Sequence, residues 1–298
     1  MPAPTPAELP PAPTGSTNVL GVRVAALTLR GAAQRILAEV RARRKGHVCV
    51  TGVHGVIECR ADPDLGAIHN RAVLTVPDGM PLVWALHRDG FPWAERIYGP
   101  DLMLAVLDQS QGTGIGHYLY GTTPEVLSRL ERRLQQRFPR LRFVGSYSPP
   151  FRALTDAEED AIAARINASG AGIVWVGLST PKQERWMARM RDRLDAPILI
   201  GVGAAFDFHA GLKPQAPPRL QRAGLEWAFR LATEPRRLWR RYARIVPSFL
   251  ALHALQRSGW RSFPFHGDAS PSPTQQERTM TPIELTTPPP SDLRGSGS

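Results

Sequence analysis

The strongest constraint on the fold is a regular alternation of strand-like and helix-like segments between residues 28 and 203. Short apolar runs predict buried strands at Gly46–Thr51, Val73–Pro77, His117–Gly121, Leu141–Ser146, Gly172–Gly177 and Pro197–Gly203. Segments with a helical spacing of apolar residues lie between them, at Thr28–Arg44, Pro63–Asn70, Pro81–Arg88, Asp101–Gln109, Pro124–Phe138, Thr155–Ser169 and Pro181–Leu194. Strands that alternate with helices form mostly parallel sheets, so we predict an α/β fold with a Rossmann-like sheet flanked by helices.

The two ends of the chain differ in composition from the middle. Residues 1–16 are rich in Pro and Ala, and the C-terminal stretch is rich in Pro, Ser and Thr with few apolar residues, which is typical of disorder. We therefore expect a disordered N-terminal tail over 1–16, an α/β domain over 17–223, an Arg-rich helical appendage over 224–262 and a disordered C-terminal tail over 263–298.

Cysteine usage and hydropathy indicate the compartment. Two cysteines, Cys49 and Cys59, are too few for a disulfide framework, and the N-terminal segment has neither the basic region nor the apolar core of a signal peptide. Apolar runs do not approach the length of a membrane span. We expect a cytoplasmic protein whose contact with a membrane, if it has one, is peripheral.

A basic tract near the C-terminus concentrates the positive charge of a chain whose formal net charge is +11. Residues 219–244 hold eight arginines and only two acidic residues, Glu226 and Glu234. On a helix, one arc collects Arg236, Arg237, Arg240, Arg241 and Arg244, while large apolar residues take the rest of the surface. Three interpretations stay open: a solvated face, a phosphate-binding face and a membrane-surface helix. Pro247 predicts a kink or a restart of the helix near Val246.

Polar residues follow the first two predicted strands, at the carboxyl edge where parallel sheets bind ligands. Thr51 and His54 follow the first strand, and Thr51 either touches a ligand or caps the next helix. Asp78 follows the second strand within VPDGMP. It is either a turn or N-cap residue, or a general base flanked by apolar residues.

Two later loops carry further candidates. In the segment from Ser179 to Glu184, Thr180 and Gln183 fit a capping box, while the same helix start with Lys182 is also suited to an anion. Asp207 follows a glycine-containing loop and is placed to accept hydrogen bonds from a base or a ribose. The loop lacks the third glycine of a dinucleotide fingerprint, which argues against NAD.

Several other chemistries are disfavoured. The sequence has no His/Cys cluster with zinc spacing and no Gly-x-Ser-x-Gly motif, and Asp62-Pro63-Asp64 is better explained as a helix start than as a metal-binding pair. We predict no metal site and no cofactor. The arginine tract also lacks the pattern of a nucleic-acid module, so we predict no nucleic-acid partner. A non-enzymatic protein that binds nucleic acid or membrane remains the alternative from another class.

Five motifs in order carry a resemblance to a known family: VPDGMPLVW, ERIYGPDLM, VGLSTPKQERWM, GVGAAFDFHAG and GLEWAFRLATEPRRLWRRY. Together they resemble the WecG/TagA/CpsF-type bacterial glycosyltransferases, which include N-acetylmannosaminyltransferases and relatives in exopolysaccharide synthesis. The resemblance spans residues 17–262. It implies an inverting, metal-independent transfer of a hexose or N-acetylhexosamine from a UDP-sugar to a polyprenyl-diphosphate-linked saccharide. The resemblance also implies that this reaction takes place at the inner face of the plasma membrane.

The resemblance also implies roles for individual residues. Asp78 matches the general base, and Arg96 matches an arginine that contacts the donor phosphates or the reacting sugar. Asp101 matches an acidic residue near the site, and Thr51, Gln183 and Asp207 match positions in the donor site. The appendage that closes over the diphosphate is matched by Arg236, Arg237, Arg240 and Arg241. His54 and Lys182 are weaker candidates.

One departure from the family bears on specificity. Val53 stands where the family often has Asn, which indicates a subgroup that acts on a different hexose. The donor sugar, the acceptor and the linkage remain open. So does the oligomeric state, for which a homo-oligomer is one option. A sugar-nucleotide hydrolase or epimerase is a further enzymatic alternative.

Overall fold

The computed structural model describes residues 15–217, 219–220 and 224–267. A six-stranded parallel sheet forms the centre of the fold, in the order β4-β3-β8-β7-β5-β6. Its strands are β3 Gly46–Thr51, β4 Leu74–Pro77, β5 Gly116–Gly121, β6 Arg142–Tyr147, β7 Ile173–Gly177 and β8 Ile198–Gly201. Every strand predicted from the sequence is present with bounds within two residues, and the predicted α/β class is confirmed.

Helices connect the strands and cover the sheet. In chain order they are α1 Leu29–Arg41, α2 Val53–Ala61, α3 Pro63–Arg71, α4 Met80–Arg88, α5 Gly99–Ser110, α6 Pro124–Arg137, α7 Asp156–Ala168, α8 Lys182–Met190 and α9 Ala205–His209. Two more, α10 Glu226–Thr233 and α11 Pro235–Arg257, form the C-terminal part. Among the described residues, no helix combines the length and the hydropathy needed to cross a bilayer.

Alternate side chains of the central strands enter different cores. In β7, Ile173 and Trp175 lie in a core with α1, α5 and α6, while Val174 and Val176 lie in a second core with α7 and α8. Such two-sided burial explains why the strands are continuous apolar runs instead of alternating ones. It also explains why they can be found in the sequence.

A two-stranded antiparallel sheet, β1 Gly15–Val19 and β2 Val22–Ala26, was not predicted. Its tight turn places Leu20 at φ 52° and Gly21 at φ 90°. Positive φ at both central positions is typical of a two-residue hairpin turn. Leu stands at the first of them in place of the usual Asn, so the sequence lacks the Asn-Gly signal of such a turn. Leu20 adopts this conformation because its side chain is wholly buried in a third core.

The folded part reaches slightly beyond the predicted tails. Strand β1 begins at Gly15, inside the predicted tail 1–16. At the other end Phe263 is buried and Arg23 stacks over the ring of Phe265, inside the predicted tail 263–298. These aromatic anchors explain why a segment of tail-like composition still packs on the fold. Residues 1–14 and 268–298 of the predicted tails lie outside the described residues.

Of the kink or restart predicted at Pro247, the restart is wrong, because a single helix α11 runs through the proline. Ile245 and Phe249 are buried on either side of it, and Phe249 shares the third core with Val56 and Leu82. This packing offsets the hydrogen bond that proline cannot donate. One side of α11 is therefore part of the folded body.

We expect Phe249→Ala to lower the free energy of unfolding by about 3–5 kcal/mol, the usual cost of removing a buried aromatic ring. Phe249 is 4% exposed, whereas the adjacent Leu250 is 62% exposed. Leu250→Ala is therefore a matched control, expected to change stability by less than about 0.5 kcal/mol. Urea unfolding of the two variants measures the difference, and equal stabilities would mean that α11 does not pack as described.

Candidate active site at the carboxyl edge of the sheet

Neighbouring strands β4, β3 and β8 bring Asp78, Thr51 and Gln183 to one edge of the sheet. Thr51 is the last residue of β3 and lies opposite Pro77 of β4, and the backbone N–H of Asp78 donates to the Thr51 carbonyl at 2.9 Å. Gln183, from α8, reaches the end of β8, where a Cβ on Gly201 would lie 3.0 Å from its Nε2. This is the edge at which ligands bind in parallel α/β sheets.

The carboxylate of Asp78 is half-buried between the starts of two helices. Its Oδ1 accepts a hydrogen bond from the backbone N–H of Gly99, the first residue of α5, at 3.3 Å. Its Oδ2 faces Gly52, where a Cβ would lie 3.7 Å away. Helix α4 begins after Gly79 without a side-chain cap, so Asp78 is not its N-cap. The N-terminus of α5 favours a negative charge at this position.

Arg96 fixes the loop that carries Asp78. Its Nε donates to the backbone carbonyl of Asp78 at 2.7 Å, and its guanidinium lies over the ring of Tyr98 at 4.2 Å. The same guanidinium forms an ion pair with Glu226 of α10. Arg96 therefore connects the carboxyl edge of the sheet with the C-terminal helices.

Asp101 lies in the first turn of α5, close to this ion pair. Burial raises the pKa of Asp101 above its usual value, Arg96 lowers it and Glu226 raises it again. The structure thus brings Asp78, Arg96 and Asp101 into one cluster, together with Glu226.

Three polar side chains at this edge, those of Thr51, Gln183 and Glu184, are buried with an unsatisfied oxygen. Thr51 is 2% exposed and Gln183 is 3% exposed, and neither Thr51 Oγ1 nor Gln183 Oε1 has a hydrogen-bond partner in the described structure. A buried polar atom without a partner costs about 1–3 kcal/mol, and a bound ligand group is one way to supply the missing partner. Thr51 does not cap α2, since the N-cap is Gly52, and that interpretation is wrong.

The predicted capping box at the start of α8 is also wrong. The N-cap is Pro181, without a side-chain cap, and the hydroxyl of Thr180 instead donates to Glu184 Oε1 at 2.9 Å. The side chain of Glu184 is wholly buried, so its carboxyl attracts the hydroxyl that would otherwise face the helix end. Lys182, at the first position of α8, is exposed.

The remaining candidates lie farther along the same loops. His54, in the first turn of α2, has its Nε2 at 3.5 Å from Glu58 Oε1. Asp207, in α9, pairs with Lys213, whose Nζ lies 2.8 Å from Asp207 Oδ2. This cation occupies one carboxylate oxygen of Asp207, which the sequence did not indicate.

The arginine face belongs to α11. Arg236 and Arg240 are exposed, and Arg241 is half-buried with its Nε unsatisfied. The described contacts of Arg240 and Arg241 are with the rings of Trp239 and Tyr242, at 5.6 and 5.7 Å, and not with Asp78 or Arg96. The side chain of Arg237 lies outside the described residues.

Metal ligands were not expected, and among the described residues no group of three or more His, Cys, Asp or Glu side chains could hold a metal ion. Asp62 starts α3, as predicted: its side chain accepts from the N–H of Leu65 at 3.2 Å, and it also pairs with Arg185.

Sequence reasoning missed three participants of the site: Glu226, Tyr98 and Glu184. Glu226 was visible only as one of two acids in a basic tract, and its partner Arg96 lies 130 residues earlier. Tyr98 and Glu184 stand beside predicted residues in the ERIYGPD and TPKQE motifs, but their contacts depend on the folded structure.

Comparison with known proteins identifies the family of the chain. The profile described as "Glycosyl transferase WecG/TagA/CpsF family" matches residues 17–262, which include both the sheet edge and the arginine face. The match covers most of the chain and all the motifs named above. The chain therefore belongs to the WecG/TagA/CpsF family of glycosyltransferases.

Proposed function

We propose that this protein is an inverting, metal-independent glycosyltransferase. In this proposal it moves a hexose or N-acetylhexosamine from a UDP-sugar to a polyprenyl-diphosphate-linked saccharide during synthesis of a cell-surface polysaccharide or exopolysaccharide. The family match supports a sugar-nucleotide donor and a lipid-linked acceptor in general. The observation that carries the specific proposal is the carboxylate of Asp78, held between helix starts at the carboxyl edge of the sheet.

Asp78 is the proposed general base. Because the Gly99 N–H holds Oδ1, the other oxygen is directed toward Gly52, where the absence of a side chain provides space for an acceptor hydroxyl. The base removes the hydroxyl proton while the oxygen attacks the anomeric carbon and UDP departs from the opposite face. A single displacement of this kind inverts the anomeric configuration.

Arginines would stabilise the leaving group. The departing diphosphate gains negative charge in the transition state, and fixed cations can offset that charge without a metal. Arg96 contacts the backbone carbonyl of Asp78, and the proposed closure of the appendage would add Arg236, Arg237, Arg240 and Arg241. Closure would also exclude water that could hydrolyse the donor.

The donor would lie along the ends of β3 and β8. The unsatisfied oxygens of Thr51 and Gln183 are suited to polar groups of the nucleotide or sugar, and Asp207 with Lys213 lies on the same side of the sheet. His54, Asp101 and Lys182 are further candidates on the flanking helices. Val53, in place of the family's Asn, lies at the start of α2 and is our candidate determinant of a different donor or acceptor sugar.

A membrane surface is the proposed location of the reaction. Large apolar side chains remain exposed in the C-terminal part, among them Trp227, Trp239, Leu250 and Trp260. Exposed Arg236 and Arg240 lie on the same helix as two of these. A helix that combines aromatic and cationic side chains in this way is suited to the interface of an anionic bilayer, where the lipid-linked acceptor resides. We propose peripheral attachment to the inner face of the plasma membrane.

The proposal is tested with a panel of UDP-sugars, each incubated with and without a synthetic lipid-diphosphate-linked saccharide. We expect UDP release to require the acceptor, and the mass of the acceptor to rise by one sugar residue. Release of UDP without acceptor would favour a hydrolase, and conversion of the UDP-sugar to its epimer would favour an epimerase. Absence of turnover together with strongly salt-dependent binding to nucleic acid would support the non-enzymatic alternative.

A further inference from the structure

Glu184 is a buried acid that the proposed mechanism does not use. Its side chain is wholly buried in the first turn of α8, and no ion pair of the described residues includes it. Burial of a carboxyl group is costly unless hydrogen bonds compensate it. Its Oε1 accepts two, from Thr180 Oγ1 at 2.9 Å and from Gln183 Nε2 at 3.0 Å. The second of these bonds reaches a residue of the candidate donor site.

The bond to Glu184 determines which end of the Gln183 amide faces the site. An amide group has a donor end and an acceptor end of nearly equal size, so its orientation follows from its partners. Because the Glu184 oxygen accepts, the NH₂ group of Gln183 faces it and the carbonyl oxygen Oε1 faces away. That Oε1 is buried and has no partner in the described structure.

The end of β8 holds the same amide from the other side. A Cβ on Gly201 would lie 3.0 Å from Gln183 Nε2 and 3.1 Å from its Cδ, and a Cβ on Gly203 would lie 3.6 Å from Oε1. A side chain at 201 would therefore press on the amide, whereas at 203 the distance is an ordinary van der Waals contact. The Gln183 amide is thus closely packed against the end of β8, and its one unsatisfied atom, Oε1, is a hydrogen-bond acceptor.

We propose that Glu184 is a positioning residue that presents Gln183 Oε1 as an acceptor for an N–H or O–H group of the sugar nucleotide. The inference rests on the proposed function, because it takes the sugar nucleotide as the ligand. With Glu184 in place, the site accepts a ligand group that donates a hydrogen bond and rejects one that only accepts. If the amide turned over, its NH₂ group would face the ligand's own donor, and the bond would be lost.

Substitutions at 184 separate this role from a structural one. Glu184→Gln retains a carbonyl oxygen for Gln183, whereas Glu184→Met has similar length without an acceptor. We expect Glu184→Met to raise KM for the UDP-sugar by roughly tenfold, the effect of one lost hydrogen bond, with a smaller change in kcat. Glu184→Gln should restore most of the affinity. Thr180→Val, which removes only the other donor to Oε1, is the matched control and should change KM less than Glu184→Met.

A double-mutant cycle tests whether Glu184 acts through Gln183. In a Gln183→Met background, Glu184→Met should add no more than about a twofold change, since coupled residues are not additive. The proposal would be overturned if the effects of Glu184→Met and Gln183→Met on KM multiply in the double variant. It would also be overturned if Glu184→Gln is as impaired as Glu184→Met. Binding of UDP alone, measured by calorimetry, then locates the ligand's donor group: a loss of affinity for UDP in Glu184→Met places it on the nucleotide, and a loss seen only with the UDP-sugar places it on the sugar.

A readout without substrate keeps this inference distinct from the proposed function. The side-chain amide signal of Gln183, identified as the one absent from Gln183→Met, should exchange slowly with solvent in the wild-type protein, and the protection should persist in Glu184→Gln. Fast exchange in the wild type would overturn the positioning role even if Glu184→Met fails to fold. If the panel shows no transfer while the amide is protected, the proposed function fails and the orientation of Gln183 by Glu184 stands.

Discussion

Asp78→Asn should fold normally and lower kcat for sugar transfer by about 100-fold or more, which is the usual contribution of a general base. The Asn side chain keeps an oxygen for the Gly99 N–H, so the loop between β4 and α4 retains its hydrogen bond. What it loses is the ability to take up a proton. Initial rates of transfer, with donor affinity measured separately, isolate this effect from binding.

Asp64→Asn is a suitable control for the loss of a carboxylate. Asp64 is exposed in the first turn of α3 and has no role in the proposed mechanism, so its replacement should leave the rate unchanged. A near-normal rate in Asp78→Asn would show that another group, or none, removes the proton. Asp101, whose pKa is raised by burial, would then be the next candidate.

The second large effect is expected at Arg96. Arg96→Gln should lower kcat/KM by about 100-fold, because removing a fixed hydrogen-bond donor from developing charge typically costs that much. The substitution also removes the bond to the Asp78 carbonyl and the contact with Tyr98. The comparison variant is Glu226→Gln, which removes the carboxylate on the other side of the same ion pair.

The effects of the two variants on donor affinity should differ in direction as well as in size. If the diphosphate is the partner that Arg96 takes in the reaction, Glu226 competes with it, and Glu226→Gln should leave donor affinity unchanged or increase it. Calorimetric titration with UDP measures this directly. If both variants lose activity equally, the ion pair serves to dock α10, and Arg96 has no separate role toward the donor.

The sheet could be predicted because its strands are buried on both faces. In β7, residues 173–177 are all apolar or Gly, so the run is clear without knowledge of the fold. The hairpin β1–β2 could not be predicted in the same way, because the positive φ of Leu20 is imposed by its burial and not by its intrinsic preference. Likewise, the continuation of α11 through Pro247 depends on the packing of Ile245 and Phe249.

The residues of the candidate site could also be predicted only in part from the sequence. Asp78, Thr51 and Gln183 could be selected from the sequence because loops after parallel strands share one edge of the sheet. Their partners could not, since the contacts of Arg96 with Glu226 and of Gln183 with Glu184 depend on how helices pack over that edge. The basic helix was ambiguous for the same reason: the structure shows that Leu238, Ile245 and Phe249 face the body, while Trp239 and Leu250 remain exposed.

The most direct test of the proposed activity follows the anomeric proton of the donor sugar by NMR. In a mixture of wild-type protein, UDP-sugar and lipid-diphosphate-linked saccharide, we expect the donor signal to be replaced by one on the acceptor with the opposite anomeric configuration. Asp78→Asn should show almost none of this conversion. A transferred sugar that retains the donor configuration, or an unchanged spectrum with every UDP-sugar tested, would contradict the account.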